Sequence, residues 1–161
     1  MQTLLSNNEQ ETEEIGARFA EGLPGGTVVA MYGDLGAALA ARLAPGAVVA
    51  FFGDLGAGKT AFVRGMARGM GLSCRVSSPT FTIVNEYLGP RELIHFDMYR
   101  LSGADELFDI GWEDYLRRNA VLVIEWSENV ADAFDGSEIS VCIEKLSDTD
   151  RSFTVEGVCL C

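Results

Sequence analysis

Residues 48–60, VVAFFGDLGAGKT, constrain the fold of this chain more than any other segment. Five apolar residues with the character of a buried strand run straight into Gly53-Asp54-Leu55-Gly56-Ala57-Gly58-Lys59-Thr60. A helical stretch, Lys59–Met70, follows and stops at Gly71. The octet fits G-x-x-x-x-G-K-[S/T], and a strand before it with a helix after it is the setting in which that pattern cradles phosphate. Glycines at 53, 56 and 58 let the backbone curl until successive N–H groups face one point. The helix N-terminus adds partial positive charge. Lys59 suits the β- and γ-phosphates, and the Thr60 hydroxyl is a hard ligand for magnesium. ATP and Mg2+ are the cofactors this predicts.

The pattern of the remaining chain predicts α/β class. Residues 11–21 have helical spacing, Val28–Tyr32 reads as a buried strand, and Ala37–Ala44 reads as a short helix ended by Pro45-Gly46. Phe81–Tyr87 and Leu93–Phe96 are β-rich around Gly89-Pro90 and predict a hairpin. Asp105–Phe108 and Glu113–Arg118 predict short helices. Val121–Ile124 is a continuous apolar strand of the kind covered on both faces. Ile139–Ile143 and Phe153–Val158 flank a polar turn and predict a closing antiparallel pair. Interleaved strands and helices give a three-layer sandwich with a mixed, mostly parallel sheet and that antiparallel C-terminal pair.

Residues 26–37 and 46–57 match at nine of twelve positions with an offset of 20. Two copies are too few for a solenoid. The expected organisation is a single domain over 1–161 that carries a tandem-duplicated helix–strand–loop unit, about 15–37 and 38–57. Only the second copy continues into Gly58-Lys59-Thr60. The first continues into Ala38-Leu39-Ala40, with nothing to neutralise a triphosphate, and reads as structural.

Charge narrows the partners. Twelve Lys+Arg against 24 Asp+Glu leave a net charge of −12 over 161 residues. Polyphosphate backbones and anionic membranes are repelled at long range, so direct high-affinity nucleic-acid or membrane binding is not expected. The N-terminus has neither a basic nor an apolar signal-peptide region. No apolar run approaches the roughly 18 residues of a span. Four cysteines without CxxC spacing and one histidine argue against zinc and read as reduced thiols of a cytoplasmic protein.

A phosphate loop needs a carboxylate at the end of a neighbouring strand. Two residues qualify, Asp97 after Leu93–Phe96 and Glu125 after Val121–Ile124. The uniformly apolar second strand is the more central, which favours Glu125 at the nucleotide and sets Asp97 one step farther out. Ser77-Ser78-Pro79-Thr80 precedes the Phe81 strand, and hydroxyls there either report the γ-phosphate or form an ordinary turn. His95 reads as a packed or hydrogen-bonded structural histidine, and Trp126 as a packing residue.

Taken in order, Gly53–Thr60, Ser78-Pro79-Thr80-Phe81-Thr82-Ile83-Val84-Asn85-Glu86-Tyr87, His95-Phe96-Asp97-Met98-Tyr99-Arg100-Leu101 and Ile124-Glu125-Trp126 resemble the TsaE (YjeE) family of small bacterial P-loop ATPases. The likeness runs from about Glu11 to Trp126 and is weaker in the last two strands. It implies a P-loop fold that binds ATP with magnesium and supports tRNA threonylcarbamoyladenosine formation with the TsaD–TsaB pair. It implies nucleotide contacts along Asp54, Leu55, Gly56, Ala57, Gly58, Lys59, Thr60 and Ala61, with Glu9 near the base and Arg151 on the phosphate side. Lys59, Asp97 and Glu125 take catalytic places; Thr60, Glu125 and Asp97 take magnesium places. The duplication departs from the family pattern of one helix–strand unit before the loop. Deleting Ala38–Ala57 rebuilds GDLGAGKT in 141 residues. Two other readings stay open, a small-molecule kinase on the same loop and a nucleotide-binding adaptor impaired by the duplication.

Overall fold

Apolar runs of five residues build the centre of a seven-stranded sheet. The computed structural model describes residues 2–6, 46–148 and 150–156. Its strands are β1 (Gln2–Ser6), β2 (Val48–Phe52), β3 (Val84–Tyr87), β4 (Leu93–Asp97), β5 (Val121–Glu125), β6 (Ile139–Lys145) and β7 (Arg151–Glu156). The helices are α1 (Lys59–Gly69), α2 (Ala104–Asp109) and α3 (Trp112–Leu116), with a 3-10 segment over Ser127–Ala133. The strand order is β1-β7-β6-β2-β5-β4-β3. Neighbours β6, β2, β5 and β4 are parallel; β3 pairs antiparallel with β4, β7 with β6, and β1 with β7.

Every residue of β4 and β5 is buried, because helices cover both faces of the sheet and continuous apolar runs suit that double burial. Strand alternation sorts the side chains. Ile94, Phe96, Leu122 and Ile124 pack with Leu107, Trp112 and Val130 under α2, α3 and the 3-10 segment. Phe96 meets Trp112 and Tyr115 edge-on at 5.4 and 5.1 Å, contacts worth about 0.5–1.5 kcal/mol each beyond area burial. On the opposite face Phe51 meets Phe62 of α1 at 5.3 Å. That face also carries His95, Asp97 and Glu125.

The sequence expectations meet three differences. The hairpin forms, but its first strand begins at Val84 rather than Phe81. Thr82 and Ile83 both donate to the Pro79 carbonyl, and Ile83 has φ +67°, so residues 79–83 are a turn. The short β1, Gln2–Ser6, has too little pattern to be read from sequence and adds a strand beside β7. The C-terminal pair forms, and β6 also joins β2 in parallel, which ties the pair into the main sheet. The helix expected over 11–21, the strand Val28–Tyr32 and the helix Ala37–Ala44 lie outside the described residues, and with them the first repeat copy. No helix among the described residues is long and apolar enough to cross a membrane.

Candidate nucleotide and metal site

The loop is built around the end of β2. Gly53 has φ +137°, and a Cβ there would fall 2.4 Å from the Ile143 carbonyl oxygen of β6, so the chain turns only with glycine. Asp54, Leu55 and Gly56 form an exposed tip, Ala57 is buried, and Thr60 and Ala61 are half-buried. Gly58 caps α1 in the left-handed region, with no side-chain cap and no acidic residue in the first turn. The first N–H groups of the helix have no intrahelical acceptors, and its positive end is uncompensated. Such an end suits an anion.

Lys59 is 4% exposed. Its Nζ donates to the Gly53 carbonyl and, at 3.1 Å, to the Asp54 carbonyl, and lies 3.9 Å from the Trp126 ring centroid. Burial lowers its pKa, opposed by the charges of Glu125, Glu128, Asp97 and Asp54. Trp126 itself has φ +60° and packs 5.0 Å from the Tyr99 ring.

The two carboxylates come from adjacent parallel strands. Asp97 and Glu125 are register partners at the ends of β4 and β5, both nearly fully buried. The order β2-β5-β4 sets Glu125 on the strand beside the loop strand and Asp97 one strand beyond it. Thr60 Oγ1 donates to Glu125 Oε1 at 2.8 Å. His95 Nε2 reaches the same oxygen at 2.8 Å. Asp97 Oδ2 accepts from Ser78 Oγ at 2.7 Å and from Thr80 Oγ1, while Oδ1 accepts the Tyr99 N–H at 3.0 Å.

These residues suit magnesium held with phosphate. No group of three or more His, Cys, Asp and Glu able to hold a metal occurs among the described residues. Magnesium keeps several waters and takes one or two carboxylates plus phosphate oxygens, which is the hard-oxygen set that Thr60, Glu125 and Asp97 offer.

Thus Lys59, Thr60, Glu125 and Asp97 converge on one end of the sheet. Glu9 lies outside the described residues. Arg151 Nη1 donates to the carbonyls of Ser147 and Asp150. Sequence reasoning allowed a hydrogen-bonded His95 but did not name Glu125 as its partner, although its spacing of two from Asp97 puts both on one face of a strand. It also missed a groove of about 660 Å³ beside the site, where Arg64, Arg68 and Arg75 gather next to Thr60 and Ser78.

Comparison with known proteins agrees with this geometry. The family model described as "Threonylcarbamoyl adenosine biosynthesis protein TsaE" matches residues 35–153. The tRNA threonylcarbamoyladenosine biosynthesis protein TsaE of Treponema pallidum (strain Nichols) is 39% identical over 151 residues, covering 94% of this chain and 97% of that protein. Its Bacillus subtilis (strain 168) counterpart is 38% identical over 152 residues, covering 94% and 82%. The crystal structure of Bacillus subtilis YdiB superposes with a TM-score of 0.68 at 28% identity, over 96% of this chain and 83% of that one. With the family model spanning residues 35–153 and relatives 38–39% identical over 94% of its length, the chain belongs to the TsaE family.

Proposed function

We propose that this chain is a magnesium- and ATP-binding, weakly hydrolysing ATPase subunit that supports tRNA threonylcarbamoyladenosine modification through a TsaD–TsaB complex in the cytoplasm. The observation that carries this reading is the bond from Thr60 to Glu125 beside Asp97, which brings the loop helix and two strand ends to one point. Residues 54–61 and the N-terminus of α1 bind the phosphates. Magnesium, when bound, offsets phosphate charge and orients the γ-phosphoryl group. Thr60 donates its hydroxyl hydrogen bond to Glu125, which leaves its oxygen lone pairs for the ion. Lys59 brings positive charge to the β- and γ-phosphates. Asp97 anchors the 78–80 hydroxyls and stands where a carboxylate polarises water.

Exposure and charge support the partner requirement. Leu55 and Phe81 are 83% and 84% exposed around the site, and a chain of net charge −12 docks on protein more readily than on tRNA. The chain is read as one domain with one nucleotide site, in which the second repeat copy supplies β2 and the loop. Phosphate release measured with and without TsaD–TsaB, beside Lys59→Ala, tests the reading. Slow turnover alone and faster turnover with partners support it; partner-independent turnover that survives Lys59→Ala overturns it. The groove with Arg64, Arg68 and Arg75 favours one alternative, a small-molecule kinase with an anionic acceptor. A phosphorylated product in a metabolite screen would establish that alternative.

A further inference from the structure

His95 is a buried polar residue that the proposed chemistry leaves unused. It is the chain's single histidine and is fully buried in β4. Alternation puts it on the face that carries Asp97, and its register partner on β5 is Val123, two residues before Glu125. Its Nε2 lies 2.8 Å from Glu125 Oε1, the oxygen that also takes the Thr60 hydroxyl at 2.8 Å. Its Nδ1 is buried with no hydrogen-bond partner among the described residues.

Counting donors sets the form of the ring. An ionised carboxylate oxygen only accepts, so the hydrogen sits on Nε2. A hydrogen on Nδ1 would be a buried donor without an acceptor. An apolar side chain would fill the same space without burying an unsatisfied nitrogen. What the imidazole adds is direction. Donors from α1 and β4 meet on one oxygen of Glu125, which stops the carboxylate from rotating.

We propose that His95 is the positioning residue of this site: its Nε2–H holds the Glu125 carboxylate in the orientation that accepts the Thr60 hydroxyl hydrogen bond and presents both residues to a divalent cation. This rests on the ATPase reading above. Metal-binding side chains are commonly oriented in this way by outer partners, whose loss costs roughly 10–100-fold in metal affinity.

Two substitutions separate positioning from bulk. In His95→Gln the amide nitrogen lies as many bonds from Cα as Nε2 does and can still donate to Glu125. In His95→Asn the amide nitrogen takes the place of Nδ1 and falls short. ATP binding is measured by calorimetry in a chelator and across a magnesium series, with thermal unfolding of each protein. The expected result is unchanged metal-free ATP affinity in all three proteins. The magnesium half-point rises about 10–100-fold in His95→Asn and stays near wild type in His95→Gln. Equal magnesium responses in the two variants overturn the proposal, as does a parallel loss of metal-free binding. Nitrogen-15 spectra of the lone histidine give a second arm that needs no nucleotide. They should show a hydrogen on Nε2, and a clear change on Glu125→Gln; a ring whose Nε2 carries no hydrogen overturns the proposal. If His95→Asn does not fold, His95→Gln and the spectra decide. If the wild type binds no ATP at all, the ATPase reading fails, and the spectra still decide whether His95 holds Glu125.

Discussion

Asp97 and Glu125 stand side by side as register partners of adjacent parallel strands, each taking its hydroxyl donors from a different loop or helix. Glu125 is tied to the phosphate loop through Thr60, and Asp97 to the 78–80 turn through Ser78 and Thr80. Removing each charge should therefore have a different result. Glu125→Gln is expected to weaken magnesium binding about 10–100-fold with little change in metal-free ATP binding. Asp97→Asn is expected to loosen residues 77–83, seen as faster amide hydrogen exchange there and not in α1. Titration calorimetry with a magnesium series and exchange mass spectrometry check the two outcomes.

The turn out of β2 tolerates no side chain. Gly53→Ala puts a methyl group against a backbone carbonyl in a left-handed conformation, and should cost about 3 kcal/mol or more. Gly56→Ala is the control, since φ is +78° but nothing lies within 4 Å of the added Cβ. It should cost about 1–2 kcal/mol. Chemical denaturation of the two variants measures the difference.

Lys59 should make stability rise toward alkaline pH. Burial lowers its pKa in the folded protein below the ordinary 10.5. Between the two values the unfolded chain binds more protons than the folded one, so the free energy of unfolding increases with pH in that window. Lys59→Met removes this component. Comparing denaturation of the two proteins from neutral pH up to about 10.5 should show the shallower slope in the variant.

Arg118 fastens the hairpin to α3. Its guanidinium pairs with Glu86 of β3 at 2.7 Å and with Glu92 just before β4, and lies 5.4 Å from the Tyr115 ring centroid. These groups are partly exposed and screened, so Arg118→Ala should cost about 1 kcal/mol or less, and less still in high salt. The hydrogen bond from Arg118 lowers the pKa of Glu86 below 4.5. That contribution is complete above pH 4.5 and is lost as pH falls through the lowered value. Melting temperatures across the acid range should fall more steeply for wild type than for Arg118→Ala.

Local pattern carried much of this structure. Residues 48–60 spell strand, glycine turn and helix in succession, each element short and unambiguous, and β2 and α1 form where the pattern puts them. The apolar runs before Asp97 and Glu125 likewise announce two buried strands ending in acids. The 79–83 turn was not legible, because Phe81, Thr82 and Ile83 favour strands and only the bonds back to Pro79 hold them otherwise. The role of His95 was not legible either. A histidine in an apolar strand looks like filler until its neighbour across the sheet is known.

By itself the sequence determined the class of the fold, the phosphate loop and the kinds of side chain available to it. Those features depend on residues close together in the chain, where spacing and backbone preference act directly. Only the tertiary structure decided that His95 and Thr60 share one oxygen of Glu125, which hydroxyls meet Asp97, that β4 and β5 lie in register, and that three arginines share a groove beside the loop. These depend on strand order and register, which arise from burial of both faces of the sheet at once. Such burial is a property of the assembled core, and no window of the chain contains it.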